Sequence, residues 1–193
     1  MNETVEPEFS TRPLTAVIEA RQRGDVDALI AALSDTDQNV RRVSANGLLS
    51  LGSPKAIEPL LRLARDSADE VLRLLAIKAI GAAGGGGQEP ELVAIALGPN
   101  SLDVRVTAIA VLVDLGDPRS VALLAGLIDS DELSGRPPRV PHARSSLRWA
   151  LDRLVEVKGV EAIPSIERGL RRLDFRDRRY ARRALRRLQK GAS

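Results

Sequence analysis

Few side chains in this sequence are suited to catalytic chemistry. The 193 residues contain no cysteine and a single histidine, His142. Without thiols the chain forms no disulfide or thiolate zinc site, and one imidazole excludes any metal site that needs two. The tetraglycine Gly84–Gly87 lacks the Lys-Ser/Thr that a phosphate-binding loop requires. We therefore predict a protein that is not an enzyme and uses no cofactor, with His142 exposed and inert.

Cationic side chains are concentrated in the last predicted helix. At about 100° per residue, its apolar residues cover roughly 0–140° of the surface and its cations roughly 160–340°, and no acidic residue follows Asp177. A solubilising cap normally mixes both signs, so this face favours an anionic ligand. The binding residues predicted here are Arg178, Arg179, Arg182, Arg183, Arg186, Arg187 and Lys190, extended by Arg172 and Arg176.

Two classes of anionic ligand fit this basic face. Guanidinium groups bind carboxylate or phosphate oxygens in pairs, so an acidic protein surface and a nucleic-acid backbone are both suitable. The chain has four aromatic residues, Phe9, Trp149, Phe175 and Tyr180, which are too few for base-stacking platforms. We expect a protein partner with an acidic surface, with nucleic acid as the alternative.

Charge is unevenly distributed along the chain. Residues 1–135 hold 12 Lys and Arg against 20 Asp and Glu, whereas residues 136–193 hold 17 against 6. Opposite charges of this size also permit head-to-tail self-association of two copies. The sequence has no apolar run near the about 18 residues of a membrane span, and its acidic start lacks the apolar core of a secretory signal. We expect a cytoplasmic protein without a membrane partner.

The elements that position these side chains repeat along the sequence. Three amphipathic stretches begin at Val40, Val71 and Val104, which are 31 and 33 residues apart, and a second amphipathic stretch precedes each. A period of about 32 residues with two helical stretches is typical of a stacked α-solenoid. No long alternation of period two indicates a strand. The predicted fold class is all-α.

Helical spacing is clearest in the first of these stretches. Its inward stripe follows a 3.6-residue period and is expected to contain Val40, Val43, Gly47, Leu48 and Leu51. Asp35 and Asp37 precede it and offer N-cap oxygens. Gly52 and Gly116 stand where a helix C-terminus takes a left-handed residue.

These residues resemble the HEAT repeat, in the short bacterial and archaeal form also found in phycobilin lyases. The family pattern is an Asp in the turn, Val-Arg five and six positions later, and an Ala/Leu-rich helix that ends in Gly. Asp35, Val40 and Arg41 meet it in full. In the second stretch Leu72 replaces the arginine and Arg73 follows, and in the third Pro99 replaces the aspartate. The resemblance implies a right-handed α-solenoid of about five repeats.

The repeats and the composition of the sequence also predict a division of the chain. We expect a disordered acidic tail at 1–11, a capping helix at 12–24, repeats at 25–52, 53–84, 85–116, 117–158 and 159–190, and an inserted loop at 131–143. Hydrogen-bond pairs between repeats are expected at Asp35/Arg41 and Asp66/Arg73.

A second candidate surface is the inner wall that second helices form in HEAT proteins. Grooves of this kind bind partner helices or peptides. For the apolar members, burial in the core is the favoured interpretation. The residues expected on this wall are Arg42, Asn46, Arg73, Ile77, Val106, Ala110 and Trp149.

Two enzyme families share this kind of repeat. Trp149 and Asp152, one turn apart, are similar to the tryptophan and carboxylate that HEAT-like alkylpurine DNA glycosylases present to a damaged nucleotide, although Asp152 can equally pair with Arg148 or Arg153. Bilin lyases share the repeat, but the repeat alone does not bring their activity. We predict a non-enzymatic interaction scaffold, with a nucleic-acid-binding protein and a bilin-lyase-like protein as alternatives.

Overall fold

The computed structural model describes residues 14–85, 87–130, 132–133, 146–171, 173 and 175–191. These residues form eleven α-helices and two short 3-10 helices, with no strand among them, so the all-α prediction is confirmed. The predicted tail at 1–11, His142, Arg172 and most of the predicted loop at 131–143 lie outside the described residues. The chain divides into two compact units, and the boundary along the sequence lies between Gln88 and Glu89.

Five helices form the described part of the first unit. Both α1 (Leu14–Arg23) and α2 (Val26–Ala32) pack on α3 (Gln38–Leu51). A 3-10 helix at Pro54–Ala56 leads into α4 (Ile57–Asp66), and α3 and α4 both pack on α5 (Glu70–Ala82). Removal of aliphatic side chains from water stabilises this packing. The fully buried side chains include Leu29, Leu48, Leu60, Leu72, Ile77 and Ile80.

Six helices form the described part of the second unit. These are α6 (Glu89–Leu97), α7 (Leu102–Asp114), α8 (Arg119–Asp129), α9 (Ser146–Glu156), α10 (Ile163–Gly169) and α11 (Phe175–Gly191). Helix α7 contacts α6 and α8, and α8 contacts α9 and α10. Helix α11 packs on both α9 and α10, and a 3-10 helix at Val160–Ala162 precedes α10. The basic C-terminal segment is therefore an integral helix of this unit.

The N-caps define the repeat register. Asp37, Asp69 and Ser101 cap α3, α5 and α7 with side-chain oxygens, at intervals of 32 residues. The third residue of each helix is buried, and in α5 this residue is Leu72. Val71 is 46% exposed. The alignment of Val71 with Val40 and Val104 is therefore wrong by one residue, because leucine and valine fill this buried position equally well.

An arginine at the fourth position of these helices binds the chain that precedes the helix. Arg41 Nη1 donates to the carbonyl oxygens of Asp35 (2.7 Å) and Thr36 (2.8 Å). Arg73 Nε and Arg105 Nε donate to the carbonyls nine residues earlier, at 2.9 and 3.1 Å. Carbonyls at a helix C-terminus lack intrahelical donors, so these bonds stabilise the turn. Of the two predicted hydrogen-bond pairs, Asp35/Arg41 is present through the backbone oxygen of Asp35 and lies within one repeat, whereas Arg73 Nε donates to Ala64.

The inward stripe of α3 differs from the prediction at its end. Val40, Gly47 and Leu48 are buried, whereas Leu51 is exposed. Leu51 is the last residue of α3 and lies beside the turn at Gly24.

Two glycines after second helices adopt the left-handed conformation in different surroundings. Gly52 has φ 57° and Gly116 has φ 73°. A Cβ on Gly52 would lie 2.8 Å from the carbonyl oxygen of Ala82. A Cβ on Gly116 would have no neighbouring atom within 4 Å. We expect Gly116→Ala to lower the free energy of unfolding by about 1–2 kcal/mol through the backbone conformation alone. Gly52→Ala should cost more, because the backbone at Ala82 must also move. Chemical unfolding of the two variants measures the difference, and equal losses would contradict the close approach.

Candidate anion-binding site

The candidate site is the exposed face of α11. Ala181, Ala184 and Leu188 are buried on the opposite face, and α11 packs on α9 and α10 there. Burial of this apolar stripe offsets the repulsion between like charges one turn apart, which is about 0.2–0.5 kcal/mol per pair. The outer face presents seven exposed cations, defined here as the basic face: Arg176, Arg179, Arg182, Arg183, Arg186, Arg187 and Lys190.

These seven cations have no acidic partner in the part of the chain that the structure describes. Arg186 Nε donates to the carbonyl oxygen of Arg182, one turn earlier, at 3.3 Å. Arginines on other helices do have carboxylate partners, as in the pairs Arg119–Asp117 and Arg168–Asp129. The basic face therefore keeps its charge available for a ligand.

Arg178 departs from the predicted binding set. It is half-buried, and its Nε and Nη2 donate to the carbonyl oxygens of Leu170 (3.0 Å) and Leu173 (2.9 Å). Like Arg41 and Arg73 in their helices, Arg178 is the fourth residue of its helix. It therefore binds the chain that precedes its own helix, as Arg41 and Arg73 do, and serves the fold. The helical projection placed Arg178 at the edge of the cationic arc, where composition alone cannot separate the two roles.

A hollow beside the first two turns of α11 adds aromatic surface to the basic face. Its volume is about 420 Å³. Phe175 is 78% exposed at its edge, although its side chain is large and apolar. The sequence pattern did not assign Phe175, Tyr180 or Arg148 to the site. The one signal in the sequence was the position of Phe175, an apolar residue on the polar side of the helix. The lining consists of Arg148, Phe175, Arg176, Arg179, Tyr180 and Arg183.

Tyr180 and Arg148 are held in place by internal contacts. The Tyr180 hydroxyl donates to Asp152 Oδ1 at 2.5 Å, and the Arg148 guanidinium lies 4.9 Å from the ring centroid. Burial, together with the Asp152 carboxylate, raises the pKa of Tyr180. Arg148 Nε also lies 3.6 Å from Asp177 Oδ1. The partner of Asp152 is therefore Tyr180, and neither of the alternatives that the sequence offered, Arg148 or Arg153, forms this bond. Trp149, its neighbour in the glycosylase-like pair, is half-buried.

The residues predicted on the inner wall occupy different environments. Arg42 forms an ion pair with Asp69, and Arg73 donates to Ala64. Ile77 is fully buried and Val106 is buried, in agreement with the core interpretation. With the register corrected by one residue, Leu74 and Lys78 are the equivalents of Arg42 and Asn46. The half-buried members of the predicted set are Asn46, Ala110 and Trp149.

Asp69 joins two successive repeats. Its carboxylate accepts two hydrogen bonds of 2.8 Å from Arg42 and one of 2.9 Å from Gln38 Nε2. The backbone N–H groups of Val71 and Leu72 donate to it as well, as expected of an N-cap. The hydrogen bonds from Arg42, followed by those from Gln38 and Leu72, hold the pKa of Asp69 far below its ordinary value against the opposing effect of burial.

We expect Asp69→Asn to destabilise the protein at pH 7 and to lose this effect in acid. An acid whose pKa is depressed in the folded state adds stability above its unfolded pKa of about 3.9. This stability declines as the pH falls below that value and disappears only below the much lower folded-state pKa, so the effect at pH 3 should be smaller than at pH 7. Asparagine keeps an oxygen that can accept the N-cap hydrogen bonds. The difference in free energy of unfolding between the native chain and the variant therefore measures the contribution of the negative charge. Urea unfolding at pH 7 and pH 3 measures it. A difference from the native chain that stays constant between these pH values would contradict the proposed ion pair.

A larger groove of about 740 Å³ lies along α8, opposite the turn that leads into α10. Its carboxylates at Asp117 and Asp129 are engaged by Arg119, Arg168 and Ser165. Its other charged residues, Lys158 and Glu161, carry opposite charges. We therefore place the candidate site at α11, where seven exposed cations of one sign have no acidic partner among the described residues.

Two further properties concern the described residues alone. They contain no group of three or more His, Cys, Asp or Glu side chains that could hold a metal ion. None of their helices is both long and apolar enough to cross a membrane.

Comparison with known proteins identifies part of the chain. Residues 13–81, which include α1 to α4 and nearly all of α5, match the family model of HEAT repeats. No curated protein matches the chain. The family match confirms the resemblance drawn from Asp35, Val40 and Arg41. It also confirms the fold class, since HEAT repeats form solenoid-like helical stacks. The handedness and the division into five repeats stay predictions.

Proposed function

We propose that this HEAT-repeat protein is a non-enzymatic scaffold that binds a protein partner through an acidic surface of that partner. HEAT repeats are commonly protein-interaction scaffolds. The observation that carries the proposal is the basic face of α11: seven exposed cations without an acidic partner among the described residues. Exposed cations of one sign destabilise their own helix, so a ligand is the simplest reason for their presence.

Arginine chemistry favours carboxylates as the groups recognised. Six of the seven cations of the basic face are arginines, and each guanidinium can donate two parallel hydrogen bonds to one carboxylate. Attraction between opposite charges raises the association rate and weakens as salt is added. We further propose that the half-buried Asn46, Ala110 and Trp149 supply secondary contacts, and that the protein acts in the cytoplasm.

Nucleic acid is the second candidate ligand, because the same basic face attracts a phosphate backbone. Fluorescence anisotropy with a polyglutamate peptide and with duplex DNA and RNA, at physiological salt, separates the two. Tighter binding of the peptide supports the scaffold, and tighter binding of a duplex overturns it. Head-to-tail self-association is tested on the same samples by light scattering at low salt, where a strictly monomeric mass would exclude it.

A further inference from the structure

We propose that the hollow beside Phe175 binds one aromatic side chain of the partner, within a segment that carries Asp or Glu on both sides of that residue. This inference rests on the proposed function and specifies its partner. The uniform charge of the basic face does not provide specificity. The inference assigns the specificity of the interaction to the first two turns of α11.

Phe175 supplies the apolar surface for this contact. Its ring is 78% exposed, so a partner ring that packs on it removes apolar surface from water on both molecules. Aromatic rings bury about 150–250 Å² each and prefer offset or edge-to-face contact. The hollow, of about 420 Å³, lies at the lower end of the size range of ligand sites. This volume suits one side chain with its flanking backbone.

The flanking charges follow from the positions of the exposed arginines. Arg176, Arg179 and Arg183 line the hollow and succeed one another along the same side of α11. Over seven residues the helix rises about 10 Å. In an extended peptide, the residues two positions before and after a central aromatic residue are about 13 Å apart and point to the same side as that residue. Carboxylates at those two positions are therefore within reach of Arg176 and Arg183.

The fixed wall of the hollow favours a peptide over a nucleic acid. The Tyr180 hydroxyl is bound to Asp152 and its ring contacts Arg148, so Phe175 is the exposed ring of the pair. Successive bases need successive stacking platforms. The single exposed ring of the hollow therefore suits one aromatic side chain.

The test measures anisotropy of two labelled peptides with the full chain: Gly-Glu-Asp-Glu-Phe-Glu-Asp-Glu-Gly and the same peptide with Ala in place of Phe. We expect the Phe peptide to bind about tenfold more tightly. Phe175→Ala should abolish this preference. Leu97→Ala is the matched control, because Leu97 is also a large apolar residue, 70% exposed, on another helix of the same unit.

A second matched pair tests the arginines. Arg182 and Arg183 are adjacent, exposed and equal in charge, but only Arg183 lines the hollow. Arg183→Gln should weaken binding of the Phe peptide more than Arg182→Gln does.

The outcomes separate this inference from the proposed function. Equal affinity of the two peptides, or a preference that survives in Phe175→Ala, overturns the inference while binding of both peptides still supports the scaffold. Failure of both peptides to bind, with tight binding of a nine-nucleotide single strand, overturns both.

Discussion

Replacement of Arg182, Arg183, Arg186 and Arg187 by glutamine should abolish binding of an acidic partner and leave the melting temperature unchanged or slightly higher. All four side chains are exposed on α11 and have no acidic partner among the described residues. At up to about 1 kcal/mol for each exposed ion pair, the loss reaches about 4 kcal/mol, or about 1,000-fold in Kd. Any residual binding should depend less on salt.

Stability should respond in the opposite direction to binding. Five pairs of cations four residues apart along α11 include at least one of the four substituted positions. Relief of their repulsion is worth about 0.2–0.5 kcal/mol per pair before screening. Thermal unfolding monitored by circular dichroism measures this effect. Unfolding of the variant at a clearly lower temperature would show that the arginines pair inside the protein and that the basic face is not a binding site.

A matched variant separates the position of the charges from their number. Arg23, Arg62, Arg65 and Lys78 are exposed in the first unit, and their replacement by glutamine removes the same total charge. This variant should bind the polyglutamate peptide as the native chain does. An equal loss of affinity in both variants would mean that net charge, and not the face of α11, attracts the ligand.

Leu188→Ala should lower the free energy of unfolding by about 2–5 kcal/mol, because it leaves a cavity under α11. Leu188 is 3% exposed. Leu185 belongs to the apolar arc of roughly 0–140° predicted for this helix, but it is half-buried in the structure. Leu185→Ala should therefore cost less, and it is the matched control on the same helix. Urea unfolding of both variants gives the two values, and a larger loss for Leu185→Ala would mean that α11 is rotated about its axis.

Period and amphipathicity predicted the fold well. The recurrence of about 32 residues indicated paired helices, and the separation of Arg from Leu and Ala predicted which side of α11 faces the core. Register was harder to predict. Leu72 and Val71 are both apolar neighbours, and the start of α5 is fixed by Asp69, whose carboxylate accepts hydrogen bonds from the N–H groups of Val71 and Leu72.

The candidate site was predictable in charge but not in shape. Counting cations identifies α11, yet it cannot separate Arg178, which binds the carbonyls of Leu170 and Leu173, from its exposed neighbours. The hollow needs Arg148 from α9 beside Phe175 and Tyr180 from α11. Residues 27 and 32 positions apart meet only through tertiary packing, which no local pattern in the sequence encodes.

The arginine at the fourth position of α3, α5, α7 and α11 also bears on the order of folding. Each one binds carbonyls only five to nine residues earlier in the chain. Contacts of such short sequence separation form early, because little chain entropy is lost in closing them. The bond from Arg42 to Asp69 spans 27 residues and joins neighbouring repeats. Folding of the first unit can therefore nucleate within single helical hairpins and propagate to the next hairpin through Asp69, as in a one-dimensional cooperative lattice.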